Sequence, residues 1–575
     1  MHLKKLLLWI GGSILLVLII ALLILNFRAS DIADTMLRNQ LKNNPIKGYV
    51  VEFEKVKVNL LSRSIKVNGI ELYPEKNIAE SPSDKLILKA TLDEIKLAGV
   101  KIWKAYKKGV LEINLILIRK PDIKLFSKGD IFQKREGKIF EWEKSNNAEQ
   151  ENIIKSILVD RMKIENAGID VINQEKEQSI ISTKDLTIEI FNLYSETLQD
   201  NSNKKFVFDD LKVSLNSFEM LLPGNMYKFH IDNLKLVKSD SLLTMDSLLL
   251  IPEYGKYQFG KVLGKQRDWV VMRLNQITLE GVNFDTLVQH QRLCLRMLEI
   301  ENFYVNDFRD KRIPFDYQHF PKLPQQALRN LNKKITVEKL KICNGHFTYE
   351  EHHENKDKPG MVYFSDLEIE VRNISNEQQW IKDHPSMEIN IEGKLMGKGL
   401  LKGQIDMPLN DLQDRFTFSG SLGKMEIVPL NSMFEPITEF SLKGGVVDHV
   451  SFSAELNNDF ATGGTMELLY HDLKIAVLKE RKKKPKIKEK GILSFLANEI
   501  IRSGNPSRDR SPKKANLFFE RNKNKGLGNY LWKTLLSGIK ETIKPGGEKK
   551  YEKEKDKITG ERHHKKTRKH EKRKE

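Results

Sequence analysis

From Tyr49 to Leu478 the chain is written almost entirely in short alternations of apolar and polar residues. The runs "YVVEFEKVKVNLL", "VLEINLILI", "DLTIEIFNL", "FDDLKVSL" and "SMEINIEGKL" are typical. A period of two marks strands with one wet face, and roughly 25 such runs follow one another with almost no helical periodicity between them. A sheet of this many strands must curl or close. At ~4.8 Å per strand it would extend on the order of 120 Å, too long for a compact barrel. The pattern therefore predicts a mainly β protein, an elongated and curled antiparallel β-sheet groove. Stretches 128–150, 316–333 and 351–360 carry clusters of charge, with Pro in the last two, and read as loops leaving the sheet.

Within the strands one phrase recurs: "IKVNGIEL" (65–72), "IKLAGVKI" (95–102) and "ITLEGVNF" (277–284), with looser forms at 162–171 and 340–349. In each, the apolar alternation slips by one residue at a Gly. An uncorrected slip would turn the later residues to the opposite face. A bulge or tight turn at Gly69 absorbs the odd residue, and Gly tolerates the backbone this requires.

The two ends of the chain read differently. Residues 6–25 are uncharged, and twenty helical residues span about 30 Å, the hydrocarbon thickness of a bilayer. Asn26-Phe27-Arg28 follows them instead of a small-residue cleavage site, which favours an uncleaved anchor over a signal peptide. Lys4 and Lys5 before the span put the N-terminus in the cytoplasm and the remainder across the membrane. Ser30–Asn44 reads as a short helix ending at Pro45. After Leu478 come a charged connector and two segments with helical spacing, 492–502 and 529–543. In the second, Trp532, Leu535, Leu536, Ile539 and Ile543 form one stripe, suited to an anionic membrane surface or to capping the end of the sheet. The expected organisation is an anchor (1–28), a β-groove (29–478), a basic connector with amphipathic helices (479–545) and a disordered basic tail (546–575).

Charge sharpens this division. The net charge of the 575 residues is +18, yet residues 479–575 alone carry +19 and the body is −1. The tail holds no aromatic residue for base stacking except Tyr551, and the expected topology keeps it out of the cytoplasm. No nucleic-acid partner is expected.

Candidate chemistry is sparse. "GKYQFGKV" (255–262) nearly matches a phosphate-binding loop, but Val262 stands where a Mg²⁺-binding hydroxyl is needed. His346, His352 and His353 with Glu350, Glu351 and Glu354 have no metal-ligand spacing, and a solvated loop explains them. Cys294 and Cys343 read as buried thiols, with pairing left open. No catalytic, cofactor or metal residue is assigned, and no enzyme is expected. The candidate site is instead a lining: in "VLEINLILI" (110–118), Leu111, Ile113, Leu115 and Leu117 share one strand face while Glu112 and Asn114 begin the other.

The N-terminal anchor, the recurring Gly phrases and "GVVDHVSFSAELNNDFATGGTMELLYHDLKIAVL" (445–478) together resemble the AsmA-like periplasmic proteins. These form part of the repeating β-groove, bridge-like lipid-transfer class that includes TamB-like proteins. "LLIPEYGKYQFGKVLGKQRDW" (249–269), "GILSFLANEIIRSGNP" (491–506) and "LFFERNKNKGLGNYLWKTLLSGIKETI" (517–543) resemble one AsmA-like subgroup, with the AsmA-like C-terminal portion at about 380–478. The resemblance implies a single-pass inner-membrane protein, its bulk periplasmic, whose groove holds phospholipid acyl chains in support of outer-membrane lipid homeostasis. The membrane partners would be the inner membrane through residues 6–25 and an anionic surface through residues 491–575. An envelope scaffold without lipid transport is the alternative, followed by a polyanion binder.

Overall fold

The alternating runs become strands, and the computed structural model describes residues 24–46, 48–76, 86–128, 156–197, 204–438, 440–478, 501–507 and 510–544. They fall into two compact units divided after Asp246. Each unit is mainly β and built on a mixed, mostly antiparallel sheet.

In the first unit, β1 (Tyr49–Asn59), β2 (Ser64–Pro74) and β3 (Ile87–Ala98) form an antiparallel meander. The next strand is broken at Lys120-Pro121 into β4 (Val110–Arg119) and β5 (Asp122–Ser127), which pair side by side with β3. Both halves run parallel to β6 (Ser156–Asn173). β7 (Gln178–Thr197), β8 (Lys204–Val207), β9 (Asp210–Leu221) and β10 (Tyr227–Val237) continue antiparallel, and β11 (Leu242–Pro252) crosses the unit boundary. A helix over 24–43, longer than the expected 30–44, precedes β1.

In the second unit, β12 (Asp268–Glu280) pairs antiparallel with β13 (Arg292–Asp310), which lies parallel to β14 (Lys334–His352). From there β15 (Gly360–Ser375), β16 (Ser386–Leu395), β17 (Gly399–Pro408), β18 (Phe416–Leu422), β20 (Phe440–Leu456) and β21 (Phe460–Val477) are antiparallel, with the short β19 (Met425–Glu426) on β20. β22 (Lys514–Asn516) and β23 (Phe519–Glu520) finish the edge of β21, and a helix, Leu527–Ile543, closes the described chain. Part of the expected loop at 316–333 forms the short helix Pro324–Arg329.

No helix among the described residues is long and apolar enough to cross a membrane. Residues 1–23, with most of the expected anchor, lie outside the described residues, as do 479–500 and the tail from 545.

The recurring phrase has a structural meaning. Gly69 sits inside β2 at φ 57°, between the pairs Lys55–Asn68 and Phe53–Ile70. The apolar residues on either side of it, Val67 and Ile70, belong to one hydrophobic cluster, so the slip in alternation leaves them on one face. Equivalent left-handed residues recur across the strands, but mostly as Asn, Asp or Gln: Asn166 in β6, Asp185 in β7, Asn233 in β10, Gln276 in β12, Asn344 in β14 and Asp366 in β15. Asn and Asp adopt this conformation most readily after Gly, because the short polar side chain can bond locally. Here the bonds run to the next strand: Asn216 donates to Asp185 (3.3 Å), Asn233 to Asp246 (2.8 Å) and Asn302 to Gln276 (3.1 Å). The other two close copies of the phrase are different objects. Gly99 and Gly281 lie one residue past the ends of β3 and β12 and terminate them.

Gly69 is therefore a test of the crease. A Cβ there would lie 2.4 Å from Glu54 Cγ, and the left-handed backbone costs an L-residue about 1–2 kcal/mol. Gly69→Ala should lower stability by about that amount, and Gly69→Asn by less, measured by denaturant melts of the intact chain.

Candidate functional site

Cross-strand register decides what each face of the first unit presents. Residues directly paired across strands point to the same side. One row of such pairs reads Val58, Ile65, Leu97, Ile116, Met162, Ile190, Leu211. The row two residues along reads Val56, Val67, Ile95, Ile118, Ile164, Ile188, Val213, Leu236. Both are apolar in every strand they cross. The row between them, on the opposite face, reads Lys57, Lys66, Lys96, Leu117, Lys163, Glu189, Lys212.

The charged face is knitted by ion pairs. Glu189 meets Arg161 at 2.7 Å and Lys163 at 3.2 Å, and Lys66 meets Glu94 at 3.0 Å. Partial burial pushes the Glu189 carboxyl upward, but the two cations more than offset this and hold it below its ordinary range.

The apolar face is only half covered. Of the fifteen side chains in the two rows, Val56 alone is buried and the others are intermediate. What buries Val56 is the helix over 24–43: Ala33, Leu37 and Leu41 pack against Phe53, Val56 and Ile70. The same helix seals the outer edge of β1 with polar side chains. Asn26 Oδ1 accepts from Leu60 N (2.8 Å), Ser30 Oγ from Val58 N (2.9 Å) and Asp34 Oδ1 from Val56 N (3.0 Å). One turn further, Arg38 donates to the carbonyls of Phe53 and Glu54. Four helical residues rise ~6 Å and two strand residues ~6.6 Å, so a polar stripe at every fourth helix position matches every second amide of an edge. Bare edges invite pairing with other chains, and this one is occupied.

The second unit repeats the row pattern but closes over it. Leu279, Leu298, Leu340, Val371, Ile389, Ile405, Phe418 and Ala454 form one row, and Val371, Ile405, Phe418 and Ala454 belong to a buried core. The Leu527–Ile543 helix lies on that core with Tyr530 and Leu536 buried and Leu527, Leu531, Leu535, Ile539 and Ile543 packed against it. Gly538 permits this approach, since a Cβ there would stand 2.6 Å from Leu517.

The expected site residues fall as follows. Leu111, Ile113, Leu115 and Leu117 do share one face of β4, with Ile113 and Leu117 buried. Their neighbours differ along the strand. Leu111 and Ile113 lie beside Ile157 and Val159, Leu115 lies between Ala98 and Arg161, and Leu117 between Lys96 and Lys163. The unbroken apolar rows pass through Ile116 and Ile118 of the other face. Of the C-terminal stripe, Leu535, Leu536, Ile539 and Ile543 are taken up by the core, and Trp532 alone is exposed.

The weighed chemical motifs are held within the fold. Lys256, from "GKYQFGKV" and at the start of the Lys256–Leu263 helix, pairs with Glu350 of β14, and Tyr257 Oη lies 3.1 Å from His352 Nδ1. His346 stacks between Tyr304 and Tyr363. No cluster of three or more His, Cys, Asp or Glu able to hold a metal occurs among the described residues, and both cysteines are free thiols.

Sequence reading missed one polar cluster. On β12–β14, the apolar row Met272–Val305–Phe347 is followed on the same face by Val270–Asp307–Tyr349 and then Asp268–Arg309–Glu351. Arg309 bonds both oxygens of Asp268, at 2.6 and 2.5 Å, and Tyr349 donates to Glu351 (2.7 Å). Asp307 Oδ1 is buried and accepts no hydrogen bond among the described residues. Burial and, secondarily, the Asp268 charge push its carboxyl up to about 7, with Arg309 opposing. "VNDFRD" gives little warning of this, because strand parity alone cannot tell which acid is enclosed.

No family model matches the chain, and no curated protein sequence matches it.

Two measurements follow from this packing. Leu536→Asp would place an unpartnered charge in the core and should cost about 3–5 kcal/mol, whereas Trp532→Asp should be nearly neutral in the same thermal melt. Asp307 should make the fold less stable as pH rises from about 4 to about 7, because the unfolded chain ionises this carboxyl first. Asp307→Asn should remove that contribution and stabilise by roughly 2–4 kcal/mol at pH 8 while changing little at pH 4. Equal differences at both pH values would show that Asp307 titrates normally.

Proposed function

We propose that this chain is a non-enzymatic, membrane-anchored β-groove protein of the cell envelope whose apolar face binds or conducts phospholipid acyl chains. The observation that supports this is the pair of unbroken apolar rows in the first unit, half exposed across seven and eight strands. Six strand spacings of ~4.8 Å give about 29 Å of row, close to the hydrocarbon thickness that two acyl chains fill end to end. Each methylene withdrawn from water onto such a surface contributes about 0.8 kcal/mol. A face of this kind with no chemistry on it suits a ligand that is itself a chain of methylenes. The lining in this reading runs through Ile116 and Ile118 rather than Leu115 and Leu117, whose neighbours are Arg161, Lys96 and Lys163. The Gly phrases and residues 445–478 add the AsmA-like resemblance, with the anchor at residues 6–25 and the bulk of the chain in the periplasm.

A second reading, an envelope scaffold whose sheet is only a core, draws on the closed packing of the second unit. The two separate by site-specific photocrosslinking of the full chain in its membrane. A crosslinking residue at Ile118 or Val213 should capture phospholipid, and one at Lys212, on the charged face, should not. Capture of protein alone at positions 118 and 213 would favour the scaffold.

A further inference from the structure

One end of the first unit carries an exposed apolar patch that the groove reading does not use. The β1–β2 hairpin tip reads Leu60-Leu61-Ser62-Arg63, and Leu60 and Leu61 are both exposed. The Leu60 amide bonds Asn26, which fixes this tip beside the start of the 24–43 helix, where Phe27 is also exposed. Val100 N donates to Arg63 O (3.3 Å) and Lys101 N to Glu112 O (3.0 Å), hanging the short Ile102–Lys108 helix at the same end. On it Trp103 and Tyr106 are 68% and 77% exposed and stack on each other at 6.2 Å. Lys107 lies 4.8 Å over the Trp103 ring. Lys104 pairs with Glu112, while Arg28, Arg63, Lys107 and Lys108 are exposed around the patch. The β6–β7 turn at the opposite end, 174–177, reads Gln-Glu-Lys-Glu and has no such character.

We propose that this end is a collar that rests in the interface of an anionic membrane, with Phe27, Leu61, Trp103 and Tyr106 among the headgroups and the basic residues on their phosphates. Exposed apolar side chains clustered beyond what scattered surface residues show mark an interaction site. Trp and Tyr beside Lys and Arg are the composition of a membrane–water boundary, where amphipathic rings and cations sit together. The chain itself names the occupant: the apolar stretch 6–25 ends one residue before Asn26, so the patch lies where the bilayer surface must be if that stretch spans it. The collar rests on the anchor proposed above. It would hold the half-open apolar rows against the bilayer from which their acyl chains come.

The test uses the full chain, with Cys294 and Cys343 replaced by Ser, reconstituted in vesicles of phosphatidylcholine and phosphatidylglycerol. An environment-sensitive fluorophore is placed at Leu61→Cys, at Trp103→Cys, or at Glu175→Cys in the far turn. Probes at 61 and 103 should be blue-shifted and quenched by spin-labelled lipid, and the probe at 175 should be neither. Lys107→Glu/Lys108→Glu should lose most of the shift at 103, and vesicles of phosphatidylcholine alone should lose it for the parent chain. Flotation of the same samples separates the two ideas. A chain that floats while 61 and 103 report water overturns the collar and leaves the anchor standing. One that stays in the buffer overturns both. Equal burial of the probes with and without anionic lipid overturns the headgroup contact.

Discussion

Side chains directly opposite one another on neighbouring strands point the same way, and in this chain that constraint governs everything else. Ile95, Ile118, Ile164, Ile188 and Val213 come from five strands and hundreds of possible pairings, yet register sets them in one line. A slip of one residue in β3 or β6 would put a Lys or Glu into that line and an Ile among the charges. The apolar alternation of several long strands shifts phase partway along. The left-handed residues at Gly69, Asn166, Asp185 and Asn233 absorb that shift strand by strand.

The ends of the rows show how the same surface can be finished in different ways. At β1, a helix contributes both an apolar side, which covers Val56 and Phe53, and a polar stripe, which satisfies the outward amides. In the second unit, β22, β23 and the Leu527–Ile543 helix complete the edge of β21 and bury the rows in a continuous core. An amphipathic stripe such as Leu535, Leu536, Ile539 and Ile543 carries the same signature whether it meets lipid or protein. Its destination depends on whether an apolar sheet face lies within reach. Here one does.

The proposed function rests on what is left uncovered. Several charged groups on the first unit's other face are committed to one another, as in the Arg161–Glu189–Lys163 cluster and the Lys66–Glu94 pair. In the proposed reading, the half-exposed aliphatic rows are the surface that acyl chains would cover. The buried Asp307 in the second unit is the counterexample that keeps the argument local: an acid can share a face with Val305 and Phe347 when Arg309 and Tyr349 stand beside it.

By itself the sequence determined the β class, the Gly-marked slip at residue 69, the helix before Pro45 and the contrast between a neutral body and a basic end. Each of these is read along the chain itself, because period-two alternation, backbone permissiveness and charge need no distant partner. The tertiary structure decided which of two apolar faces of "VLEINLILI" continues as an apolar row on the neighbouring strands. From Leu115 to Ile118 that segment is apolar on both sides, and only Lys96, Arg161 and Lys163 on the neighbouring strands mark the odd face as the charged one. It likewise decided that Asn166 and Asn344, rather than Gly168 and Gly345, carry the left-handed turn, and that the C-terminal stripe meets a core. Those outcomes depend on pairings between residues tens of positions apart, and alternation within one strand holds no information about its neighbour.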